Sequence, residues 1–360
     1  MSREQWLAFT PRDTVAVRDG RPFRAGVDFV AESVPPWPST IAGAVRAAYG
    51  DREPQAVRGP VLARFTDTGG WNLHFPMPAD VVRSPGGRAY LLRPDPELAG
   101  IITDLGEGLL APARKGKVEP AEGWIPASAL TAYLHAEVSP GGFDLRKKLR
   151  PYRQGADPLV PERRVGLART RARTAREGYF YQSVHLRPRE NWAFLACCDL
   201  PSDAEEPLWR PRNVAQLGGG SRLADVTEAD GVDWPKPPAA FPGGRVLAYL
   251  ATPALWRDGW RPPLPQGAEL VGAAVPAPRP VASSSPRTAR ERRTKLLDTV
   301  SLRWAVPAGA VYLLRFEDLS RAAEWAGRQH ARPWGPPAAE RLDTAGFGVV
   351  LIGTWKEPHS

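Results

Sequence analysis

Forty prolines among 360 residues are the strongest constraint this chain places on its own fold. Proline removes a backbone donor and collides with the preceding turn inside a helix, so long uninterrupted helices are excluded over most of the sequence. Short strands and short helices joined by long loops are expected instead. The length suits two domains, and a hydrophobic share of 42% is enough for a sizeable core. No run approaches the roughly 20 apolar residues of a membrane span. The opening residues, MSREQWLAFTPRD, contain no apolar stretch of signal-peptide length. A cytoplasmic protein without membrane association is expected.

The formal net charge is +9 and the isoelectric point about 9.8. Such a balance suits a polyanionic partner, nucleic acid first among them. The positive charge is mostly arginine, whose planar fork of donors fits phosphates and stacks on bases. Enrichment in Arg, Pro, Gly and Ala together also follows from a GC-rich genome, so charge alone does not assign a partner. The two cysteines, Cys197 and Cys198, are adjacent in an apolar run. Neighbouring strand residues point to opposite faces, which argues against a structural disulfide or zinc site and for buried, reduced thiols.

Along the chain, residues 14–18 have a strand's composition and Asp19-Gly20 supplies a turn. Ser39 or Thr40 is positioned to cap a following helix, with Ile41, Ala44, Val45, Ala48 and Tyr49 on one apolar face and Gly50 at its end. Residues 51–160 read as a loop-rich insertion. Residues 178–187 read as a strand, with Phe180, Val184 and Leu186 on one face and Tyr179, Tyr181, Ser183 and His185 on the other. Residues 192–200 are its pairing strand. A short helix is expected near 208–216, then a glycine-rich loop at 218–222 and a strand at 223–226. The second half repeats this order: strands at 246–251 and 310–316, and a helix capped by Asp318 with Leu319, Ala322, Ala323 and Ala326 on one face. A Gly-Phe-Gly loop at 346–348 and a strand at 349–353 follow. A basic stretch at about 276–295 reads as a mobile loop. Two ferredoxin-like β-α-β-β-α-β domains would produce this repeat, giving an α+β protein. The boundaries are 1–232, with the insertion at about 51–160, and 240–360, with the basic loop.

Seven blocks in fixed order carry a more specific signal: RDGRPF (18–23), PPWPSTIAGAVR (35–46), RVGLARTRARTAREGYFYQSVHLR (164–187), LGGGSRLA (217–224), ATPALWRDGW (251–260), VPAGAVYLL (306–314) and GFGVVLIGTW (346–355). Together they resemble the Cmr subunit 3 family of the type III-B CRISPR effector complex, within the RAMP superfamily. The resemblance implies RRM-like, ferredoxin-like domains with Gly-rich loops. It implies a non-catalytic subunit of a ribonucleoprotein in antiviral defence, which helps hold the repeat-derived 5′ tag of the crRNA. The implied protein partners are the Cas10-type large subunit and a Cmr backbone RAMP subunit, with target RNA met indirectly. The Gly-Phe-Gly loop lacks a longer glycine run and suits packing of the last strand more than RNA contact.

Candidate RNA contacts follow from the residues. Glycine turns let backbone N–H groups approach phosphates, which selects Gly218, Gly219, Gly220, Ser221 and Arg222. The alternative for that loop is a tight turn. Ser39 and Thr40 open a helix whose first N–H groups attract anions, although a plain cap is the simpler reading. Arg18 and Arg21 flank the Asp19-Gly20 turn, to reach RNA or, for Arg18, to pair with Asp19 or Asp28. Arg164 heads the third block. Arg169, Arg171 and Arg173 alternate; in one extended strand they would share a face about 6.6 Å apart and meet successive phosphates. Tyr179 and Tyr181 would stack on bases if their face is open.

No catalytic residue, metal or cofactor is expected. His74, His135, His185, His330 and His359 are scattered without metal-ligand spacing, and neither a Walker-type loop nor a GxSxG elbow occurs. Two alternatives have distinct tests. One is a RAMP endoribonuclease that processes precursor crRNA using His185; the other is a scaffold whose charge meets an acidic protein.

Overall fold

The structure is a computed structural model that describes residues 3–18, 31–98, 100–107, 109–151, 157–202, 209–283, 301–335 and 342–357. It is mostly β with few helices. A seven-stranded sheet occupies the first half, in the spatial order Trp124–Pro126, Gly70–Pro76, Ala56–Thr66, Trp192–Leu200, Arg3–Pro11, Leu223–Glu228, Val214–Gln216. Every pair in it is antiparallel. A five-stranded antiparallel sheet occupies the second half, in the order Ala268–Ala274, Val311–Phe316, Arg245–Leu250, Val349–Thr354, Arg332–Pro333. The four central strands of the first sheet, numbered by their place in the chain, lie second–third–first–fourth. The first four strands named for the other sheet follow the same order.

The two sheets face each other across one core. Trp192–Leu200 is buried at every position. Its odd-numbered residues Ala193, Leu195 and Cys197 face the shared core, whereas Phe194, Ala196 and Cys198 face a second core beneath the helix Pro38–Ala48. Arg245–Leu250 does the same from the opposite side: Leu247 and Tyr249 enter the shared core, and Val246, Ala248 and Leu250 pack toward the helix Leu319–Gln329. Strands covered on both faces carry continuous apolar sequence rather than alternation. Trp6 meets Trp234 at 5.0 Å between ring centroids, and the Tyr249 hydroxyl donates to the Pro76 carbonyl at 2.6 Å, so side chains from both halves interlock here. Residues 235–236, between the sheets, are held by histidines from either side. His330 Nε2 donates to the Pro235 carbonyl at 2.7 Å, its Nδ1 accepts from Ile352 N–H at 3.0 Å, and His135 Nε2 meets the Lys236 carbonyl at 3.0 Å.

Several local expectations hold. The helix Pro38–Ala48 buries Ile41, Ala44, Val45 and Ala48, with Gly50 at φ 65° beyond its end. Asp318 caps Leu319–Gln329 by accepting from Ser320 N–H at 2.8 Å, with Arg321 N–H adding a longer bond. Cys197 and Cys198 are buried, free and on opposite faces.

Others are corrected. The first strand is Arg3–Pro11, and residues 14–18 make only isolated bridges, Val15 to Leu186 and Arg18 to Ser33. Ser39 and Thr40 do not cap their helix: Pro38 starts it after Trp37, because proline's fixed φ suits the first turn and its absent N–H costs nothing there. Residues 51–160 are not mainly loop. Ala56–Thr66 and Gly70–Pro76 belong to the main sheet, while Val81–Arg83 and Arg88–Pro94 build a smaller one that includes Glu119–Pro120 and Phe143–Asp144. The Gly59-Pro60 step, which argues against an inner strand, is absorbed where the register to Trp192–Leu200 shifts between Leu195 and Cys197. Within the 208–216 stretch, Val214–Gln216 forms a strand, so its helix is not borne out there. The helix face near 319 is Ala322, Trp325 and Ala326, with Leu319 exposed. Arg279–Ser283 pairs with Ser301–Ala305 as a ribbon, and residues 284–300 lie outside the described residues.

Candidate nucleic-acid interface

Leu159–Arg169 and Ala175–Pro188 form a long antiparallel hairpin, joined by Ala31–Glu32 as a parallel third strand. Called the arm below, it is tied to the main sheet by the segment that leaves Arg3–Pro11. In that segment Val15 exchanges hydrogen bonds of 2.8 and 3.0 Å with Leu186, and the Ala16 carbonyl accepts from Gly219 N–H at 2.7 Å. One short stretch of backbone thus brings the arm's base beside the glycine-rich loop.

That loop is the tight turn of the Val214–Gln216 and Leu223–Glu228 hairpin. Gly218 sits at φ 81°, and a Cβ there would lie 2.8 Å from the Ala16 carbonyl oxygen, so glycine is required. Gly219, Gly220 and Ser221 are exposed on the outer side. Gly219 N–H is already used by Ala16.

Asp13 stands at the centre of this base. It accepts from Arg164 at 2.7 Å, from Arg187 at 2.7 Å and from Arg222 at 2.5 Å. Glu162 accepts from the Nε atoms of Arg164 at 2.9 Å and Arg187 at 2.6 Å. Packing around Asp13 favours its neutral form, yet the hydrogen bonds from Arg187, Arg164 and Arg222 outweigh this and hold the carboxyl far below its ordinary range. Glu162 is also lowered, first by Arg187. Three guanidiniums against two carboxylates leave one net positive charge, spread over partly exposed side chains. Arg164 and Arg222, expected as free phosphate ligands, are thus ion-paired within the protein. Asp13, Glu162 and Arg187 were not singled out from sequence, because Asp13 lies 151 positions before Arg164, its nearest arginine partner, which leaves no local spacing to read.

His185 lies on the same face. Its Nδ1 is 3.0 Å from Thr14 Oγ1 and its Nε2 3.2 Å from Ser183 Oγ. Desolvation lowers its pKa, with Arg222 and Arg164 adding to the effect. A neutral imidazole engaged at both nitrogens fits a structural role.

The arm's tip carries the expected arginines in a different geometry. Only Arg169 is in a strand, at its last position; Arg171 and Arg173 occupy the turn, where Arg173 takes φ 62°. Thr170 and Thr174 close that turn by backbone and hydroxyl hydrogen bonds of 2.9 and 2.7 Å. The three side chains therefore fan from a tip instead of sharing one strand face, and all three are exposed. Arg176 stacks over Tyr179 at 3.8 Å from its ring centroid, covering one face of the ring. Phe180, on the strand face expected to be shared with Val184 and Leu186, is 55% exposed, because this end of the arm extends beyond the core. The tip lies about 16 Å from Arg164, at about 3.3 Å per residue along the strand.

Arg18 is exposed, and its carbonyl accepts from Trp37 Nε1 at 3.4 Å, which sets it beside the start of the helix bearing Ser39 and Thr40. Arg21 and the side chain of Tyr181 lie outside the described residues. The Gly-Phe-Gly loop belongs to the core: Gly346 has φ 94°, a Cβ there would meet the Val57 carbonyl oxygen at 2.6 Å, and Phe347 is buried.

Arg18, Arg164, Arg187, Arg222 and residues 218–221 thus gather at the arm's base, and Arg169, Arg171 and Arg173 at its tip. A family model described as "CRISPR-associated protein (Cas_Cmr3)" matches residues 7–355. The search of curated proteins returned no match. Among solved structures, a chain of the type III-B Cmr-beta complex bound to cognate target RNA and AMPPnP is 13% identical, with 86% of each chain covered and a TM-score of 0.47. A chain from the same complex with cognate target RNA is 12% identical over 86% of each chain, at 0.45. A chain of the Csm3-Csm4 subcomplex of a type III-A CRISPR-Cas interference complex is 10% identical over 98% of this chain and 99% of that one, at 0.41.

Proposed function

Because the chain belongs to the Cas_Cmr3 family of CRISPR-associated proteins, we propose that it is a non-catalytic subunit of a type III-B effector complex in the cytoplasm. In this reading it helps hold the 5′ repeat-derived tag of the crRNA and joins a Cas10-type large subunit to a backbone RAMP subunit, meeting target RNA only indirectly. Family membership over nearly the whole chain carries the assignment. The arm supports the RNA role: it carries an exposed arginine tip at one end and, at the other, a base with net positive charge beside a glycine turn. We read the two sheets as ferredoxin-like units at 1–232 and 240–360. Their common second–third–first–fourth strand order supports this, as do the helix after the first strand in one and before the fourth in the other.

The experiment is RNA retention by the assembled complex across a salt series. The triple variant Arg169→Ala/Arg171→Ala/Arg173→Ala should release crRNA at lower salt. Its log–log salt slope should become shallower by up to about 2, since each lost single-strand phosphate contact removes about 0.7. Unchanged retention would favour a protein-binding scaffold. Incubation with repeat RNA without metal tests the endoribonuclease alternative: site-specific cleavage lost in His185→Ala would overturn the non-catalytic reading.

A further inference from the structure

A groove of about 1060 Å³ lies at the edge of the second sheet, between residues 92–110, the edge strand Ala268–Ala274 and the Arg279–Ser283/Ser301–Ala305 ribbon. Its volume is just above the range for drug-sized ligands, about 300–1,000 Å³. Leu92, Leu110, Trp260, Leu270, Val275 and Trp304 give it an apolar wall. Leu110 is seated against the backbone at Gly272, where a Cβ would come within 2.5 Å of its side chain, so this wall is built into the fold. Trp304 is 60% exposed, Leu302 on the same strand face is 55% exposed, and Leu109 at the opposite wall is 43% exposed. Large apolar side chains gathered around a concave surface mark an interaction site more often than scattered ones do.

The charges select the occupant. Among the described residues, every charged side chain lining the groove is acidic: Asp95, Asp104 and Glu269. This is a local reversal in a chain of net charge +9. Arg261 borders the rim, where its guanidinium lies 5.4 Å from the Trp260 ring centroid and hydrogen-bonds to the Asp104 carbonyl. Carboxylates along an apolar trough repel a phosphate backbone and attract ammonium and guanidinium groups on apolar stems. We propose that this groove docks a segment of a partner protein whose Leu- or Ile-like side chains are flanked by Lys or Arg. The site is separate from the arginine arm and does not depend on the RNA reading.

The test uses the full chain and a defined probe, a 14-residue peptide alternating leucine and lysine with one photo-reactive leucine. A peptide with glutamate in place of lysine serves as control. The lysine peptide should bind saturably and crosslink to residues 92–110 and to the Ser301–Ala305 strand, and the glutamate peptide should not. Asp95→Asn/Asp104→Asn/Glu269→Gln should weaken binding at least tenfold, and Trp304→Ser should remove the crosslinks, with melting temperatures unchanged, since Asp104, Glu269 and Trp304 are exposed and asparagine at the half-buried position 95 keeps an oxygen to accept from Glu97 N–H. Equal binding of both peptides would overturn the proposal, as would unchanged affinity of the neutralised variant or crosslinks elsewhere. Displacement of the peptide by oligouridylate would assign the groove to RNA. Self-association in sedimentation that Trp304→Ser abolishes would assign it to a second copy of this chain. Either outcome would also overturn the proposal.

Discussion

At the scale of single residues, the chain holds buried or half-buried arginines with carboxylates supplied from distant positions. Arg58 is the clearest case. Its guanidinium donates to Glu4 at 2.7 Å, to Asp199 at 2.5 Å, to Cys197 Sγ at 3.2 Å and to the Ala331 carbonyl at 3.1 Å. Glu4, Cys197 and Asp199 are spaced closely enough to hold a metal ion, but the guanidinium occupies that position. Burial pushes the Cys197 thiol up to about 12, a further reason it stays protonated and unreactive. Removing one member of such a pair strands the others, so Arg58→Ala should cost about 3–5 kcal/mol in urea denaturation. Asp13→Asn should act oppositely on function: with one carboxylate neutralised, Arg164, Arg187 and Arg222 gain charge for RNA. Tighter binding at low salt and a steeper salt slope are expected, and weaker binding would show that Asp13 is needed to position them. His74 gives a pH dependence. It is buried edge-on against Trp192 at 4.6 Å, and desolvation lowers its pKa from 6.5 to about 4. The unfolded chain therefore takes up this proton first as pH falls below about 6.5. Stability should decline between about pH 6.5 and 4 by on the order of 3 kcal/mol from this group. His74→Phe should flatten that part of the profile.

At the scale of elements, two glycine loops that look alike in sequence do different work. Residues 218–221 form an exposed hairpin turn, whereas residues 346–348 dock the second half onto Ala56–Thr66. Gly220 has φ 68° with open space around it, so Gly220→Ala should cost only the left-handed penalty, about 1–2 kcal/mol. Gly346→Ala adds a collision with the carbonyls of Val57 and Gly59 and should cost clearly more, read as a lower urea midpoint at unchanged slope. The helix Pro38–Ala48 was legible because its 3.6-residue apolar period faces a single core. Arg3–Pro11 was not, because Trp6 and Ala8 face one core while Leu7 and Phe9 face another, leaving no alternation to detect. Ala56–Thr66 was hidden by Gly59-Pro60, whose bulge is tolerated only because the neighbouring strand shifts register.

At the scale of the whole molecule, the shared core makes the two halves dependent on one another. Trp6, Leu195, Tyr249 and Leu351 belong to the same buried cluster. Each large side chain buried there contributes about 1.5–3 kcal/mol that an isolated half would lose. One cooperative unfolding transition is expected, with tryptophan fluorescence and far-UV circular dichroism coinciding. Two separated transitions would show instead that the sheets fold independently.

Legible in the sequence were the short strands and helices, the apolar face of the helix Pro38–Ala48, the Asp318 cap, the strands from 192 and 311 onward, and the family, through ordered motifs that no single block specified. These are local properties, set by proline and glycine stereochemistry and by periodicity over a few residues. Tertiary structure alone decided which arginines are free. Whether Arg164 or Arg222 meets solvent or Asp13 depends on a carboxylate brought across more than 150 residues by the pairing of Val15 with Leu186. It also decided that Arg171 and Arg173 sit in a turn, and that an acidic, apolar groove forms in a basic chain. Those outcomes depend on distances between segments remote in sequence, which local spacing does not encode.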